Sequence, residues 1–287
     1  MTASRIETIT SAANPRLRPV ADLRTAAGRR DDDLTLVDGR RELSRAVAAG
    51  LAVTDLFVDA RLFGAAAATL EPLTAAIGPW VAMLADRGTR IVALGPRPFE
   101  RIAFGARNEG VVGVVRFTCP GLATAAFAPD RPVLLIEGVE KPGNLGAILR
   151  TADAAGLAGV VVCDGRTDPA NPAVIRASLG TVFSVPLAVA TTADAIPWCR
   201  EHRRRVVAAM PQGRRLWHEA ALAGPTAILL GSEAHGISSA WEAAAEAGVI
   251  ALDSIRLPMH GCADSLNLSA TAAVLAYESV RQETAGH

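Results

Sequence analysis

Short apolar runs alternate with helix-like segments from Pro132 to the end of the chain, and this alternation limits the fold more than any other feature of the sequence. When a helix connects two strands of a sheet, the strands run parallel to each other, because the crossover returns the chain to the same end of the sheet. A parallel sheet is covered on both faces by its connecting helices. We therefore predict an α/β domain with a mostly parallel sheet over residues 132–287.

The elements of this domain follow from β-branched runs and from helical spacing. The predicted strands cover 133–136, 159–163, 182–185, 205–209, 227–230 and 249–252. The predicted helices cover 145–155, 172–179, 193–202 and 266–281. Ligands of such sheets bind beyond the carboxyl ends of the strands, so functional residues should directly follow strands.

A second, smaller α/β unit precedes this domain, as a length of 287 residues allows. Its predicted elements are strands over 34–37, 55–58, 90–94 and 111–117 and helices over 40–49 and 65–76. Residues 119–131 include Pro120 and Pro129 and show no sustained period, which is typical of a linker. The predicted organisation is a domain over 1–118, this linker, and a domain over 132–287.

Arginines are concentrated before the first strand of the smaller unit, although the net charge of the chain is zero. Guanidinium groups bind phosphates through a bidentate fork, so this excess indicates a surface for RNA. The candidate RNA-binding residues are Arg16, Arg18, Arg24, Arg29 and Arg30. Residues 203–205 form a second basic cluster. A coding sequence rich in G and C also favours arginine, and that explanation stays open.

The sequence argues against several classes of protein. No apolar run reaches 18 residues and the first residues lack a signal-peptide pattern, so we expect a cytoplasmic protein without a membrane span. The 4 cysteines form no CxxC pair. The histidines are dispersed and His235, near Glu233, lacks a second close ligand, so no metal site is predicted.

Three short polar motifs follow predicted strands. The first runs from Asn144 to Arg150 as Asn-Leu-Gly-Ala-Ile-Leu-Arg, and Asn144 lies where an N-cap is expected. An anion such as a phosphate can dock at a helix start of this kind. A well-capped helix with an exposed arginine explains the same residues without a ligand.

The second motif, Gly-Ser-Glu-Ala-His-Gly, covers 231–236 directly after a buried strand. Core packing poorly explains a carboxylate, Glu233, held between glycines at the end of a strand, which favours a functional site. A turn with Ser232 as a helix cap is the alternative.

The third motif joins Leu-Pro-Met-His-Gly at 257–261 to Ser-Leu-Asn-Leu-Ser at 265–269. Ser265 is a suitable N-cap, whereas Asn267 and Ser269 are locally unfavourable inside a first helical turn. Local departures from sequence rules often mark functional sites, although a merely polar helix start is the alternative.

In this order, over residues 133–281, the three motifs resemble those of the SpoU (TrmH-like) family of RNA ribose 2′-O-methyltransferases. The N-terminal part, with Ile-Thr-Ser at 9–11 and Asn-Pro-Arg at 14–16, is similar to the substrate-binding domain of many members. Among members, the chain is most similar to antibiotic-resistance enzymes that act on 23S ribosomal RNA. The resemblance implies methyl transfer from S-adenosylmethionine to a ribose 2′-hydroxyl, with transfer RNA as the alternative substrate.

The resemblance also implies a fold and a cofactor site that periodicity does not reveal. The C-terminal segment would thread through a loop to form the deep trefoil knot of the SPOUT class, and the cofactor would bind against the knot. By correspondence with the family motifs, the cofactor-binding residues are Ala209, Met210, Gly231, Gly236, Leu257, Met259 and Leu266.

The resemblance assigns the polar centre of catalysis to Asn144, Arg150, Glu233, Ser265 and Asn267. A guanidinium stays protonated in proteins, so Arg150 is better suited to clamp a phosphate than to act as a base; Glu233 is the other candidate base. Members of the family act as homodimers in which the motif with Arg150 lies near the partner's cofactor. Two residues depart from the family pattern: Lys141 stands where an acidic residue is common, and Leu257 where isoleucine is usual.

Two function classes compete with the methyltransferase. A degenerate methyltransferase domain would make the chain a non-catalytic RNA-binding protein, and the full polar set argues against it. The alternation of strands and helices alone also fits a dinucleotide-binding oxidoreductase. The chain lacks the GxGxxG turn and the acidic residue at the end of the second strand that such an enzyme needs.

Overall fold

The computed structural model describes residues 6–30, 33–104 and 108–285. The strands, numbered along the chain, are β1 (Glu7–Ile9), β2 (Leu34–Asp38), β3 (Val53–Asp59), β4 (Arg90–Leu94), β5 (Val111–Arg116), β6 (Val133–Glu137), β7 (Gly159–Cys163), β8 (Leu187–Ala190), β9 (Arg205–Ala209), β10 (Arg215–Leu216), β11 (Thr226–Leu230) and β12 (Leu252–Arg256).

The α-helices are α1 (Leu17–Asp22), α2 (Ala26–Arg29), α3 (Arg40–Ala48), α4 (Ala60–Phe63), α5 (Leu70–Ile77), α6 (Trp80–Asp86), α7 (Pro96–Ile102), α8 (Pro142–Ala154), α9 (Pro172–Ala177), α10 (Thr192–Glu201), α11 (Ser239–Glu246) and α12 (Leu268–Ala285). Short 3₁₀ helices cover Gly64–Ala68 and Thr181–Phe183. The chain divides into two compact units. The first unit comprises Met1–Thr118 and Ala170–Phe183, and the second comprises Cys119–Pro169 and Ser184–His287.

The first unit contains a sheet with the strand order β1-β4-β3-β5-β2. β4 pairs in parallel with β1 and β3, whereas β5 is antiparallel to both β2 and β3. Apolar residues of this sheet form a core with α1 and α7, in which Leu17 and Phe99 are fully buried. The unit is therefore an α/β structure with its own hydrophobic core.

Residues 170–183 belong to the first unit, although the chain on both sides belongs to the second. The hydroxyl of Thr35 in β2 donates a hydrogen bond to the carbonyl of Ala170 (2.6 Å), and Arg176 of α9 forms an ion pair with Asp38 (3.3 Å). The sequence prediction assigns this segment to the C-terminal domain. It differs from the structure because a helical period does not reveal which sheet a helix covers.

The second unit is built on a sheet with the strand order β10-β12-β9-β11-β6-β7-β8. Every neighbouring pair of these strands is parallel, so the predicted parallel sheet is confirmed. β6, β7 and β11 are buried along their whole length, as a sheet covered on both faces requires.

The spatial order of these strands changes direction at β6. β7 and β8 extend the sheet on one side of β6, whereas β11, β9 and β12 lie on the other side. The register places Leu230 of β11 beside Ile136 of β6 and Ala209 of β9, so the carboxyl ends of these strands are level. Ligands bind at such a reversal of strand order in parallel sheets.

The predicted linker, residues 119–131, is part of the second unit. The buried guanidinium of Arg204 donates hydrogen bonds of 2.8 Å to the carbonyls of Ala128 and Arg131, which fastens the linker to this unit. The basic cluster 203–205 is therefore partly structural, because the arginine at its centre donates hydrogen bonds to backbone carbonyls and is not exposed to solvent.

Three predicted elements differ from the structure. Residues 182–185 do not form a strand, because they enter a buried 3₁₀ helix and β8 begins later. The predicted strand 249–252 lies before most of β12. β12 contains polar residues, so a search for apolar runs does not detect it. The predicted helix 65–76 is interrupted at Thr69, which is extended, so α5 begins after it. Short apolar runs do not distinguish buried strands from buried turns.

The last helix, α12, packs against α8, which directly follows β6. The end of the chain thus returns to the segment that carries the first motif. The trefoil knot that the resemblance implies stays a prediction. Within the part of the chain that the structure describes, no helix is long and apolar enough to cross a membrane.

Candidate active site

A cavity of about 430 Å³ lies at the edge where β9, β11 and β12 end. The segments that follow these three strands form its walls. The walls include every residue predicted to bind the cofactor: Ala209, Met210, Gly231, Gly236, Leu257, Met259 and Leu266. The structure therefore brings these residues together at one cavity, and their contact with a cofactor stays a prediction.

The walls combine apolar and polar groups. Met210, Leu257 and Met259 supply apolar surface, and Glu233 and Ser265 supply polar atoms. Among residues 6–30, 33–104 and 108–285, no group of three or more histidine, cysteine, aspartate or glutamate side chains is arranged to hold a metal ion. The cavity has the mixed lining that is typical of sites for organic ligands.

The turn 231–236 explains the glycine spacing of the second motif. The backbones of Ser232 and Gly236 exchange two hydrogen bonds of 3.0 Å, so the chain folds back over Gly231. A Cβ atom on residue 231 would lie 2.1 Å from the backbone carbon of Gly236, and Gly236 itself has a φ of +67°. Both positions favour glycine, and Glu233 is held inside a short, defined turn.

Glu233 is the centre of a polar cluster at the border of the cavity. Its Oε1 accepts hydrogen bonds from the Nδ2 atoms of Asn144 (2.7 Å) and Asn267 (3.2 Å), and its Oε2 accepts one from Nζ of Lys141. The same Nδ2 of Asn267 also donates to Oδ1 of Asn144 (3.1 Å). The structure therefore brings together three of the predicted catalytic residues.

The cluster favours the ionised form of Glu233. The hydrogen bond from Lys141 lowers the pKa of Glu233 below its usual range, and the bond from Asn144 acts in the same direction. Burial opposes this effect only in part, because the Glu233 side chain remains 34% exposed. A carboxylate anion therefore faces the cavity at neutral pH.

The first turn of α8 differs from the sequence prediction. The helix begins at Pro142, so Lys141 is the N-cap residue and Asn144 lies inside the first turn. Proline suits this start, because the first helical residues have no intrahelical acceptor for their N–H groups. The amide of Asn144, predicted as a cap, is instead free to bind Glu233.

The start of α12 is also displaced from its predicted position. The helix begins at Leu268, so Asn267 rather than Ser265 directly precedes it. Oδ1 of Asn267 accepts hydrogen bonds from the backbone N–H (2.9 Å) and the hydroxyl (2.7 Å) of Ser269. Asn267 thus caps α12 with its oxygen and binds the cluster with its nitrogen.

Two predicted catalytic residues lie outside the cluster. Ser265 lines the cavity but forms no hydrogen bond with Glu233 or the two asparagines. Arg150 is exposed and forms no hydrogen bond or ion pair with any residue that the structure describes. Consecutive helical residues are about 100° apart, so Arg150 and Asn144 lie on different faces of α8. Within one chain, Arg150 is not part of the cluster.

Two residues outside the predicted set of site residues contribute to the site. Lys141, identified from the sequence only as a departure from the family pattern, reaches the polar cluster, and Glu137 lies at the end of β6. The buried Glu137 carboxylate accepts hydrogen bonds from the Thr192 hydroxyl (2.8 Å), the Ser238 backbone (2.9 Å) and the Trp241 indole (3.1 Å). It therefore anchors the segment that follows the 231–236 turn. An acidic residue at the end of a buried apolar run was the available signal.

The arginines predicted to bind RNA differ in accessibility. Arg29 is buried and donates to a backbone carbonyl (3.0 Å), and Arg24 donates to two backbone carbonyls. Arg16 forms a 2.6 Å ion pair with a glutamate. Arg30 is exposed, and the side chain of Arg18 is 80% exposed. Arg24 is exposed as well, but those carbonyls hold its guanidinium, so Arg18 and Arg30 are the exposed candidates whose side chains bind no backbone carbonyl in the described part of the chain.

Comparison with known proteins identifies the family that shares this arrangement. The model of the SpoU rRNA Methylase family matches residues 131–277. The 23S rRNA (uridine(2479)-2′-O)-methyltransferase of Streptomyces viridochromogenes is 29% identical over 260 residues, which cover 88% of this chain and 84% of that protein.

Solved structures agree over almost the whole chain. An AdoMet-bound rRNA methyltransferase from Sinorhizobium meliloti superposes with a TM-score of 0.80 at 27% identity, covering 96% of this chain and 98% of that one. The SpoU methyltransferase AviRb from Streptomyces viridochromogenes, in complex with AdoMet, gives a TM-score of 0.78 at 27% identity, covering 95% of this chain and 100% of that one. The resemblance seen in the motifs is confirmed, and this chain belongs to the SpoU rRNA methylase family.

Proposed function

We propose that this protein transfers the methyl group of S-adenosylmethionine to a ribose 2′-hydroxyl of RNA, and that 23S ribosomal RNA is its substrate. The observation that carries the proposal is the cavity at the ends of β9, β11 and β12, bordered by the cluster around Glu233. Methyl transfer to a hydroxyl requires this combination. The acceptor oxygen must be aligned with the methyl group and must lose its proton.

The cavity fits the cofactor in size and chemistry. Its volume of about 430 Å³ lies within the range of roughly 300–1,000 Å³ that small ligands occupy. Leu257, Met259 and Leu266 would pack on apolar parts of the cofactor, and the backbone of the 231–236 turn offers hydrogen-bonding groups. When bound, S-adenosylmethionine supplies an electrophilic methyl group. Relatives with this fold hold AdoMet.

The polar residues have separable tasks in this proposal. Glu233 accepts a hydrogen bond from the acceptor hydroxyl and, as the base, takes up its proton. Asn144 and Asn267 hold the carboxylate in place. Ser265 completes the polar wall of the cavity. Arg150 binds a phosphate next to the acceptor nucleotide, because its guanidinium stays protonated.

The substrate class follows from the relatives. The Streptomyces viridochromogenes relative is a 23S rRNA 2′-O-methyltransferase that aligns with most of this chain. We propose that the protein acts in the cytoplasm, because its proposed substrate is ribosomal RNA. Resistance to a ribosome-targeting antibiotic stays a prediction from the resemblance.

We also propose that the active form is a homodimer in which each site contains Arg150 of the partner subunit. Arg150 is exposed and lies away from Asn144 on the same helix, so a single chain leaves its guanidinium outside the cluster. A second chain could supply this group to the site. The proposal therefore gives the isolated position of Arg150 a function.

The first prediction tests the reaction itself. Purified protein with S-adenosylmethionine should add 2′-O-methyl groups to 23S ribosomal RNA, mapped by mass spectrometry of RNA digests, and the Glu233→Gln variant should add far fewer. Methylation of transfer RNA but not of 23S ribosomal RNA would show that transfer RNA is the substrate. Binding of S-adenosylmethionine in calorimetry without any methylation would indicate a non-catalytic RNA-binding protein, and binding of NAD instead would overturn the assignment.

The second prediction separates the two roles of Asn267. Asn267→Asp keeps an oxygen to cap α12 but removes the amide that binds Glu233, so turnover should fall at least about tenfold, which corresponds to about 1.4 kcal/mol. Asn267→Ala should also lose the cap, which costs about 0.5–2 kcal/mol of stability. Methyl-transfer kinetics and thermal melting measure the two effects. Normal turnover of Asn267→Asp would show that the amide is dispensable.

The third prediction concerns the shared site. Arg150→Ala and Glu233→Ala should each be inactive, and mixing them under conditions of subunit exchange should restore part of the methylation. The mixed dimer holds one site with both intact residues, which explains the recovery. Each variant incubated alone is the control. Mass spectrometry verifies that the subunits have exchanged. If activity does not recover after verified exchange, a site built from both subunits is excluded.

The fourth prediction concerns RNA affinity. Each phosphate contact contributes a slope of roughly 0.7–0.9 to a log–log plot of affinity against salt, so replacing Arg18 and Arg30 by glutamine should flatten the slope by about one to two. The matched control replaces Arg87 and Arg97, two exposed arginines of the same unit. Equal slopes for both double variants would move RNA recognition to another surface.

A further inference from the structure

Lys141 is the only lysine among the 29 basic residues of the chain, and it lies at the polar cluster. It is the N-cap residue of α8 and has an extended backbone (φ −85°, ψ 120°) without a side-chain cap bond. Its ammonium group donates to Oε2 of Glu233, while its side chain remains 67% exposed. The lysine is therefore placed by the start of α8 and directed at the carboxylate.

The charges around Glu233 show what this contact contributes. Among the described residues, Lys141 is the cation that binds the carboxylate, and both asparagines bind only through neutral amides. His235 lies in the same turn, and Asp264 lines the same cavity. From α12, the backbone N–H of Leu268 adds a weaker favourable contribution.

Both carboxylate oxygens are engaged from different sides. The two amides hold Oε1, and Lys141 holds Oε2. Loss of the lysine would remove the side-chain donor to Oε2 and would weaken the constraint on rotation of the carboxylate about its last side-chain bond. A carboxylate fixed at both oxygens presents one orientation to the cavity, and fixed polar groups act on a reaction without reorganising first.

We propose that Lys141 is a positioning residue of the methyl-transfer site, which holds the Glu233 carboxylate in a single orientation toward the acceptor hydroxyl. The inference rests on the proposed function, and it adds to the site a residue that departs from the family pattern. In this proposal Lys141 holds Oε2 of Glu233, the oxygen that neither asparagine binds.

The inference determines how activity should depend on pH. An opposite charge at hydrogen-bond distance lowers the pKa of a carboxyl group, and Lys141 does so for Glu233. A group with a depressed pKa loses its charge only when the pH falls through that low value. Removal of the lysine raises the pKa, so activity that needs the carboxylate should fail at a higher pH.

The variants are Lys141→Met, which removes the charge, and Lys141→Arg, which retains it. The matched control is Arg166→Met. Arg166 forms a comparable surface ion pair with Glu140 (2.7 Å), and its side chain is 66% exposed, but it lies outside the cluster. All variants carry an exposed substitution, and thermal melting verifies that they fold.

We expect Lys141→Met to lower kcat at least about tenfold, which corresponds to about 1.4 kcal/mol, and to move the acidic limb of the pH profile to higher pH. Lys141→Arg should keep the acidic limb near its wild-type position, and Arg166→Met should keep both properties. S-adenosylmethionine binding, measured by calorimetry, should not change. An unchanged kcat and acidic limb in Lys141→Met would overturn the proposal, as would a rise in the KM for RNA alone.

A chemical test uses the natural chain, because it has no other lysine. Acetylation neutralises the Lys141 amine and the α-amino group, so the wild-type protein should lose activity while Lys141→Arg, which keeps only the α-amino group, should resist. Equal inactivation of both proteins would count against the proposal.

A titration that does not need activity keeps the two hypotheses distinguishable. Carbon-13 NMR of labelled glutamate, with the Glu233→Gln variant as the assignment control, measures the pKa of Glu233 in wild type and in Lys141→Met. An equal pKa in both proteins would overturn the positioning role. An upward shift in Lys141→Met, combined with absence of methylation by the wild type, would retain the contact and refute the proposed reaction.

Discussion

The parallel register of β6, β11, β9 and β12 is the constraint on which the site depends. β11 inserts between β9 and β6, and the matched register of Leu230, Ile136 and Ala209 brings their carboxyl ends to one level. Segments that are far apart along the chain then leave the sheet side by side. The cavity and the polar cluster form where these segments meet, so the sheet positions the site chiefly through the segments that follow its strands.

Two local devices convert this edge into a chemical environment. The close approach of the backbone at Gly231 folds the chain into a turn that carries Glu233, and the buried Glu137 carboxylate anchors the residues that follow. The first turns of α8 and the residue before α12 supply the amides that bind the anion. A carboxylate beside two helix starts also benefits from the partial positive charge of helix N-termini. Backbone geometry and charge thus support the same group.

Motif reasoning identified residues more reliably than it identified their contacts. Asn144 and Asn267 were predicted at the site and lie together there, yet Asn144 is not an N-cap and Asn267, not Ser265, caps the last helix. Arg150 belongs to the same motif as Asn144 but lies on another face of α8. A motif records residue types and spacing, whereas helix phase and the exact first residue of a helix depend on packing that the motif does not contain.

The sequence by itself determined the parallel α/β fold of the second unit, because β-branched runs and helical spacing are local properties of the chain. Its resemblance to the family, carried by the three motifs, supplied the predicted cofactor-binding residues that line the cavity. Only the tertiary structure decided the contact of Lys141 with Glu233, the burial of Arg29 and the assignment of residues 170–183 to the first unit. Each of these depends on which distant segments pack together. That choice is made by burial and hydrogen bonding summed over the whole fold, and no stretch of sequence carries it alone.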